Sequence, residues 1–248
     1  TGLVLSVVPG IALEAVTAED TLQIQVTGEQ DSYLPPAEAG VTRLDVPLRD
    51  TPRSIQVIPS AVIEDQGANR IGDVLRNVSS VVRDGGFGGT ADQFTVRGFF
   101  VNSLFRDGFR DSTFSLQETA NIERIEVLKG PASVLYGNLQ PGGAINIVTE
   151  QPLAIPRYEA QLQVGSFGFI RPTVDLTGPL TASEDLRYRL NLAYERSDGF
   201  RDLDQDVRNV FMAPVIAWDI TEDTTLTLEF SYIDSERPFD RGLVAVGR

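Results

Sequence analysis

The stretch that decides the fold runs from Ile122 to Thr149 and reads IERIEVLKGPASVLYGNLQPGGAINIVT. Its two ends, Ile122–Leu128 and Ala144–Thr149, are rich in isoleucine and valine, which favour strands. The connection between them contains Gly130-Pro131 and Pro141-Gly142-Gly143, and such residues are typical of turns. The stretch therefore predicts two strands joined by a glycine-rich connection.

The residues before this stretch predict more short elements of mixed type. Ser54–Pro59 has the composition of a strand. Ser60 can cap a helix that runs to Gly67, and Asn69 can cap a second helix. That second helix is supported by apolar residues at i, i+3, i+4 and i+7, namely Ile71, Val74, Leu75 and Val78. Phe94–Gly98 predicts a further strand between glycine-rich turns.

From Arg157 onward the sequence predicts five strands of about ten residues each. Apolar and polar residues alternate in four of them, at 158–164, 170–176, 186–194 and 226–232, whereas Val207–Trp218 alternates poorly. Such alternation is typical of a soluble antiparallel sheet on a core and also of a transmembrane barrel with one face in lipid. Strand length and aromatic residues near strand ends favour the barrel, but the pattern alone leaves both open.

The composition removes several classes of site. The 248 residues include no Cys and no His, which excludes a disulfide, a Cys-ligated zinc, a thiol nucleophile and a Ser–His–Asp triad within the chain. Lys and Arg total 21 against 35 for Asp and Glu, a formal net charge of −14, which argues against nucleic acid as a main partner. No run reaches the roughly 18 apolar residues of a membrane-spanning helix.

Several motifs occur in one order along the middle of the chain. They are Asp50–Pro59, Asp73–Val78, Phe94–Phe99, Arg106–Phe109, Ile122–Gly137 and Pro141–Thr149. Together they resemble the plug domain of TonB-dependent outer-membrane receptors, and the Pro-Gly-Gly form resembles the siderophore-receptor branch. The resemblance implies a mixed α/β plug domain followed by antiparallel strands of an incomplete transmembrane β-barrel, with about 22 strands in the full protein.

The resemblance divides the chain into five parts. They are residues 1–19, the tail of a preceding periplasmic segment with a strand from Leu3 to Val8; 20–28, the TonB box; 29–40, a linker; 41–151, the plug domain; and 152–248, the first strands of the truncated β-barrel. Both ends read as cut, so we expect a piece of a larger protein. The expected location is the cell outer membrane of a Gram-negative-type bacterium, with residues 1–40 in the periplasm.

The predicted TonB box is a short strand with period-two alternation. It comprises Asp20, Thr21, Leu22, Gln23, Ile24, Gln25, Val26 and Thr27. The resemblance implies that this strand pairs edge to edge with TonB after ligand binding, and that pulling then rearranges the plug and opens a path. The inner-membrane proton gradient supplies the energy, so we expect no cofactor, no nucleotide site and no enzymatic activity.

The resemblance also places apical plug loops around 85–89, 99–103 and 112–115, facing the extracellular side. The predicted contacts with a ferric siderophore are Phe87, Phe100, Asn102 and Phe114, because aromatic rings offer contact area and an amide offers hydrogen bonds. Phe99 is expected to pack into the plug core instead. No metal ligand is expected, because the siderophore already saturates the iron.

Three charged residues on plug strands are predicted to form plug–barrel charge pairs, namely Arg97, Arg124 and Glu126. A plug is enclosed by its barrel, and enclosed charges need partners. The resemblance implies that the two arginines pair with carboxylates of barrel strands beyond this chain. Both arginines are therefore predicted to be under-paired within residues 41–151. The barrel exterior is expected to contact outer-membrane lipid.

Other functions stay in view at this point. Within the family, the solute could be a cobalamin or a glycan. Outside it, the chain could be a soluble β-rich binding module or a glycosidase with paired carboxylates. Glu123 and Glu126 are close in sequence, but their odd separation puts them on opposite faces of one strand. Gly85–Gly89 lacks the Lys-Ser/Thr pair of a phosphate-binding loop. We therefore expect a siderophore receptor.

Overall fold

The computed structural model describes residues 3–7, 33–34, 36, 39–42, 46–101, 104–111, 116–198 and 206–239. The described residues form two units that contact each other. The first, called the plug below, contains the short strands and helices between Gly40 and Thr149 and the described residues next to them. The second is the wall, an antiparallel sheet that residues 157–236 form together with residues 3–7.

The longest strands lie in the wall and reach 15 residues, whereas most plug strands have only three. The strands are β1 Leu3–Val7, β2 Ser54–Pro59, β3 Val81–Arg83, β4 Phe94–Val96, β5 Phe99–Val101, β6 Leu104–Arg106, β7 Phe109–Asp111, β8 Ile122–Lys129, β9 Gly143–Thr149, β10 Arg157–Val164, β11 Ile170–Pro179, β12 Leu186–Ser197, β13 Val207–Thr221, β14 Thr224–Glu229 and β15 Tyr232–Glu236. The helices are α1 Ser60–Asp65, α2 Ile71–Val74, α3 Gly86–Gly89 and α4 Ser133–Tyr136, with 3₁₀ turns at Gly40–Thr42, Leu48–Asp50 and Leu75–Asn77. None of the helices in the described residues is long and apolar enough to cross a membrane.

The plug has one larger sheet and one smaller sheet around an apolar core. The larger sheet has the order β2-β8-β9-β6-β7, in which only β6 and β9 run parallel, and the smaller has the order β3-β4-β5. Phe94, Ile125 and Ile147 meet between the two sheets, and each is at most 1% exposed. The predicted helical stripe packs into the same core, since Ile71 and Val74 are fully buried. The predicted strands at 54–59, 122–128 and 144–149 are confirmed.

Close packing of the plug strands requires the two glycines of the Pro-Gly-Gly motif. Gly142 lies against β4, where a Cβ would overlap the carbonyl oxygen of Val96. Gly143 opens β9 with a φ of 150°, and a Cβ there would overlap the carbonyl oxygen of Leu128. Any side chain at either position would therefore push apart the strands that hold the centre of the plug.

The predicted helix caps are wrong. Pro59 and Arg70 occupy the N-cap positions of α1 and α2, and neither helix has a side-chain cap in the described residues. Ser60 is instead the first residue of α1. Both helices are short and directly follow extended backbone, so their start is set by the preceding chain and by burial of their apolar face.

The wall is a continuous antiparallel sheet with the order β1-β10-β11-β12-β13-β14, and β15 also pairs with β13. Its strands confirm the five that the sequence predicts, with one difference. The run predicted at 226–232 is divided into β14 and β15, which share one register against β13. The break lies opposite Pro214, whose nitrogen carries no hydrogen and cannot donate to the ladder.

The N-terminal strand is also part of this sheet. β1 pairs along its whole length with β10, from Leu3 opposite Val164 to Val7 opposite Ala160. The strand predicted from Leu3 is thus confirmed, but it pairs with the first wall strand and not, as the sequence predicted, with a preceding periplasmic segment. This pairing satisfies backbone groups that would otherwise be free on the edge of β10.

The two faces of the wall differ in chemistry. The face turned away from the plug exposes large apolar side chains, including Tyr158, Leu162, Ile170, Met212, Ile216, Trp218, Leu226, Leu228 and Tyr232. The face turned toward the plug buries polar ones, at most 5% exposed, namely Arg171, Thr177, Arg189, Asn191, Glu195 and Asn209. A sheet with an apolar exterior and a polar, filled interior fits the barrel reading and not the soluble sheet.

The poor alternation along β13 has a structural cause. Its inward residues Phe211, Ala213 and Val215 are apolar, and each is at most 5% exposed. Phe211 and Ala213 pack with Ala120 of the plug. Both faces of this strand are therefore apolar along much of its length, one toward the plug and one away from it, which removes the sequence signal.

Candidate functional site

The plug meets the wall through a buried cluster of charges centred on Glu118. This plug carboxylate accepts a hydrogen bond from Arg171 on β11 and another, 2.8 Å long, from the Asn209 amide on β13. It also accepts one from the backbone N–H of Thr119 at 2.9 Å. Glu118, Arg171 and Asn209 are each 4% exposed. One plug side chain thereby holds two wall strands.

A second ion pair crosses the same interface, with its base on the plug and its acid on the wall. Arg70, just before α2, places its guanidinium 3.0 Å from the carboxylate of Glu195 on β12. Glu195 also lies 3.9 Å from Arg171. The charges thus alternate in sign along one row: plug Glu118, wall Arg171, wall Glu195 and plug Arg70. Each buried charge has an opposite neighbour, which is the condition for burying it.

A second cluster lies where the plug chain leaves for the wall. Glu150 follows β9, and its carboxylate lies 2.8 Å from the Arg189 guanidinium and accepts a 2.7 Å hydrogen bond from Asn191. Arg189 also makes a bidentate contact with Asp175 on β11, at 2.9 and 2.6 Å. Burial raises the pKa of Glu150 to about 7, although Arg189 and Asn191 act in the opposite direction. The second cluster therefore contains a carboxyl group that titrates near neutral pH.

The opposite end of the interface carries a third set of charges. Asp92 of the plug is 6% exposed and accepts a 2.8 Å hydrogen bond from the backbone N–H of Gln117. Burial raises its pKa, while Arg83, Arg70 and Arg237 lower it. Burial next to Arg70 lowers the pKa of Arg237, which follows β15, to about 10. Phe239 then lies close to Gly88 in α3.

A small polar cavity of about 70 Å³ lies between α1 and the wall. Its lining comes from both units and includes Glu64, Glu150, Gln161, Arg171, Thr173 and Asp175. Such a cavity has the size and polarity to hold water. The interface is therefore polar and hydratable as well as paired, so water can replace its contacts if the two units separate.

Of the four predicted ligand residues, the structure describes Phe87 and Phe100. Phe100 lies on β5 and is 39% exposed, which fits a surface contact. Phe87 lies in α3, and Asn102 and Phe114 lie outside the described residues. The expectation that Phe99 packs into the core is wrong, since it is 44% exposed. It lies at the end of β5 beside the Arg97-Gly98 turn, beyond the core.

The predicted charge pairs are corrected in part. Arg124 is not under-paired: its guanidinium contacts Glu123 and lies 2.9 Å from Glu126, so both partners belong to the plug. Glu126 is fully buried and faces Gly40 and Val41 rather than the wall. The reason is that β8 is a central strand, whose buried face is enclosed by the plug itself.

Arg97 differs from Arg124. It is exposed in the turn between β4 and β5, and it makes no ion pair with any residue that the structure describes. Its pairing with barrel carboxylates stays a prediction. The predicted TonB box, residues 20–27, lies outside the described residues.

The residues that join plug and wall were missed as a site, although part of the signal was present. Arg171, Asp175, Arg189, Asn191 and Glu195 occupy the polar phase of the alternating strands, which is the phase that faces the plug. The phase predicts which wall residues point inward. The phase does not say which plug residues contact these wall residues. No motif or periodic pattern in the sequence distinguishes Glu118 or Glu150 from other polar residues.

Comparison with known sequences gives one consistent picture. The family model for the TonB-dependent receptor plug domain matches residues 47–144. The metal-pseudopaline receptor CntO of Pseudomonas aeruginosa is 38% identical over 234 residues, which cover 93% of this chain and 32% of that receptor. The catecholate siderophore receptor Fiu of Escherichia coli is 31% identical over 256 residues, 99% of this chain and 33% of that receptor. The chain spans about a third of the length of these curated relatives.

Solved structures agree with the sequence relatives. The ferripyoverdine receptor of the outer membrane of P. aeruginosa, bound to ferripyoverdine, superposes with a TM-score of 0.75 at 29% identity, over 84% of this chain and 29% of that one. The open form of the ferric-catecholate import receptor Fiu from E. coli gives 0.71 at 32% identity, over 80% of this chain and 29% of that one. Both the plug and the wall strands thus have solved counterparts.

Proposed function

Because the chain belongs to the TonB-dependent receptors of the outer membrane, we propose that the protein takes up a ferric siderophore. The barrel provides the path and the plug gates it. TonB engages residues 20–27 in the periplasm and transmits energy from the inner-membrane proton gradient. The proposal includes no chemical reaction on the chelate.

The observation that carries the proposal is the polar, paired interface between plug and wall. Glu118, Glu150 and Arg70 hold the plug against three wall strands through charges. A charged interface regains hydration when it opens, so separating it costs less than separating an apolar core. This is what a gate requires: firm seating at rest and a hydratable surface when displaced.

The test of uptake is growth of a deletion strain on single ferric siderophores under iron starvation. The full-length protein should restore growth on at least one of them. Ile24→Pro should abolish that growth while siderophore binding persists, because proline removes a backbone donor from the box strand. Gln30→Pro, in the linker, is the matched control and should grow normally. Normal growth of the Ile24→Pro strain would refute the box assignment.

We further propose that Phe87, Phe100, Asn102 and Phe114 contact the siderophore. Single Ala variants of the full-length receptor should bind it more weakly, by about tenfold for an aromatic contact. Phe109→Ala is the matched control, because Phe109 is 78% exposed but follows the turn at the opposite end of β6 from residue 102. Unchanged affinity in all four variants would remove the assignment. For Arg97, the proposal is an ion pair with a carboxylate elsewhere on the barrel.

A second candidate is uptake of a chelate of another metal. The relative with 38% identity is named for a metal-pseudopaline complex, whereas the 31% relative is named for catecholate siderophores. Growth of the same strains under zinc or nickel limitation separates the two. Rescue there, without rescue under iron starvation, would favour this second candidate.

A further inference from the structure

Glu126 is a carboxylate whose partners converge from several parts of the plug. It is fully buried on β8. Its oxygens accept hydrogen bonds from the backbone N–H groups of Gly40 at 3.1 Å and Val41 at 2.6 Å. They also accept from Arg124 at 2.9 Å and from the Asn146 amide on β9 at 3.1 Å. Four donors thus surround one carboxylate.

The segment that Glu126 holds is itself packed into the plug. Ala39 is 2% exposed and Val41 is fully buried. Both belong to an apolar cluster with Leu128 and Tyr136, and the Tyr136 hydroxyl donates a 2.8 Å hydrogen bond to the Val41 carbonyl. The N–H and the C=O of Val41 are therefore both bound to plug side chains. In the described sheets this backbone has no place, so side chains and not a strand ladder hold it.

The contacts of Asn146 extend the attachment into the sheet. Its side-chain oxygen accepts a 2.9 Å hydrogen bond from the Gly108 N–H in the turn between β6 and β7. A chain of hydrogen bonds therefore runs from Gly40 and Val41 through Glu126 and Asn146 to that turn. It joins β8 and β9, the two central strands, to the hairpin beside them.

The position of this contact along the chain gives it a mechanical meaning. Residues 29–39 separate the predicted TonB box from Gly40, and about 11 residues span at most about 40 Å when extended. Within this segment, the exposed Tyr33 donates a hydrogen bond to Asp65 at the plug surface. A pull on the box would first load the exposed Tyr33–Asp65 contact. It would then act on Gly40 and Val41.

We propose that Glu126 clamps the backbone of residues 40–41 and is the point at which a pull on the N-terminal segment enters the central sheet of the plug. The N–H groups of two adjacent residues bind the two oxygens of one carboxylate, so a pull on this backbone loads both hydrogen bonds. Tension therefore reaches β8 and β9 before the segment detaches. This deepens the proposed function and rests on it for the source of the pull.

Hydrogen exchange on the full-length receptor tests whether the clamp exists. The amides of Gly40 and Val41 should be protected in the native protein. In Glu126→Gln the side-chain NH₂ faces backbone donors, so at least one contact is lost and exchange at these two amides should accelerate roughly 10- to 100-fold. The matched control is Glu123→Gln, on the same strand and also in contact with Arg124 but not with residues 40–41. Equal protection in Glu126→Gln and the native protein would overturn the proposal.

A milder variant guards against loss of folding. Tyr136→Phe removes only the hydroxyl that binds the Val41 carbonyl and keeps the ring beside Phe105. It should raise exchange at residues 40–41 less than Glu126→Gln does, with siderophore affinity unchanged. No acceleration in Tyr136→Phe would remove Tyr136 from the clamp.

Pulling the full-length receptor by its N-terminal segment tests the mechanical role. With the pull applied at residues 20–27, the force of the rupture that releases residues 40–41 should fall in Glu126→Gln and stay unchanged in Glu123→Gln; equal forces would overturn the proposal. Neither this measurement nor hydrogen exchange needs TonB or a siderophore, so both can fail while uptake by the native protein stands. If the clamp is confirmed, uptake by Glu126→Gln should fall at unchanged siderophore affinity. Uptake equal to that of the native protein would refute Glu126 as the residue through which the pull enters the central sheet.

Discussion

The plug core and the plug–wall interface are buried to a similar degree with opposite chemistry. In the core, Phe94, Ile125 and Ile147 are at most 1% exposed and surrounded by apolar neighbours. In the interface, Glu118 and Arg171 are 4% exposed and surrounded by charges and amides. An apolar core favours permanent burial, whereas paired charges tolerate being wetted. Under the proposed function, the plug–wall interface and not the plug core is therefore the contact expected to separate.

The largest expected effect comes from putting a charge into the core. Ile147→Asp would leave an unpaired carboxylate among apolar side chains of the central sheet, at a cost on the order of 5 kcal/mol. We expect the plug to lose its fold, measured as protease sensitivity of the full-length receptor. Val82→Asp is the control, since Val82 is 63% exposed, and it should stay within about 0.5 kcal/mol of the native protein. A folded, protease-resistant Ile147→Asp plug would break the comparison.

The next effect comes from removing one partner in the interface. Glu118→Ala leaves Arg171 and Asn209 without their carboxylate, and we expect a loss of about 3 to 5 kcal/mol in plug–barrel stability by denaturant titration. The double variant Glu118→Met with Arg171→Met replaces the pair by apolar groups and should recover much of that loss. A double variant as unstable as Glu118→Ala would show that charge itself, and not only pairing, is required.

A smaller effect is expected on the outer face of the wall. Leu192 lies on β12 between the inward residues Asn191 and Ala193, so its side chain points outward. Leu192→Arg should destabilise the barrel in liposomes by about 2 to 4 kcal/mol, because the charge would face lipid. Ala182→Arg, in the exposed turn before β12, should be neutral under the same conditions. A neutral Leu192→Arg would contradict the assignment of this face to lipid.

The last effect is spread over the pH scale, so its change per pH unit is the smallest of the four. The folded-state pKa of Glu150, about 7, lies above its ordinary value of 4.5. Protonation therefore adds stability that is fully present below about pH 4.5 and is lost as pH rises through about 7. The slope is at most about 1.4 kcal/mol per pH unit. Glu150→Gln should remove this slope from the stability profile measured between pH 4.5 and 7. An unchanged profile would show that Glu150 does not titrate in this range.

Much of the fold can be predicted from the sequence, because strand periodicity is local. The alternation in β10, β11 and β12 gives both the strands and the face that each residue occupies, and the Pro-Gly-Gly motif marks the entry to β9. β13 shows the limit. Its inward face is apolar where it meets Ala120, and that contact depends on a residue almost a hundred positions away.

The site is less predictable for the same reason. Arg124 reads as a charge that needs a distant partner, yet its partners are its neighbours Glu123 and Glu126. Glu118 reads as an ordinary polar residue, yet it joins β11 and β13. Pairing depends on which residues the fold brings together, and strand phase fixes only the direction in which each one points.

The three attachments of the plug have a consequence for exchange between receptors. Glu118 meets β11 and β13, while Arg70 and Glu150 each meet β12 at different heights. Three points on adjacent strands fix a single rotational setting of the plug. A chimera that carries a foreign plug would seat only if that plug also brought an acid, a base and an acid at these three places. The wall residues are therefore expected to accept only plugs with this arrangement of charges, which favours joint inheritance of plug and barrel.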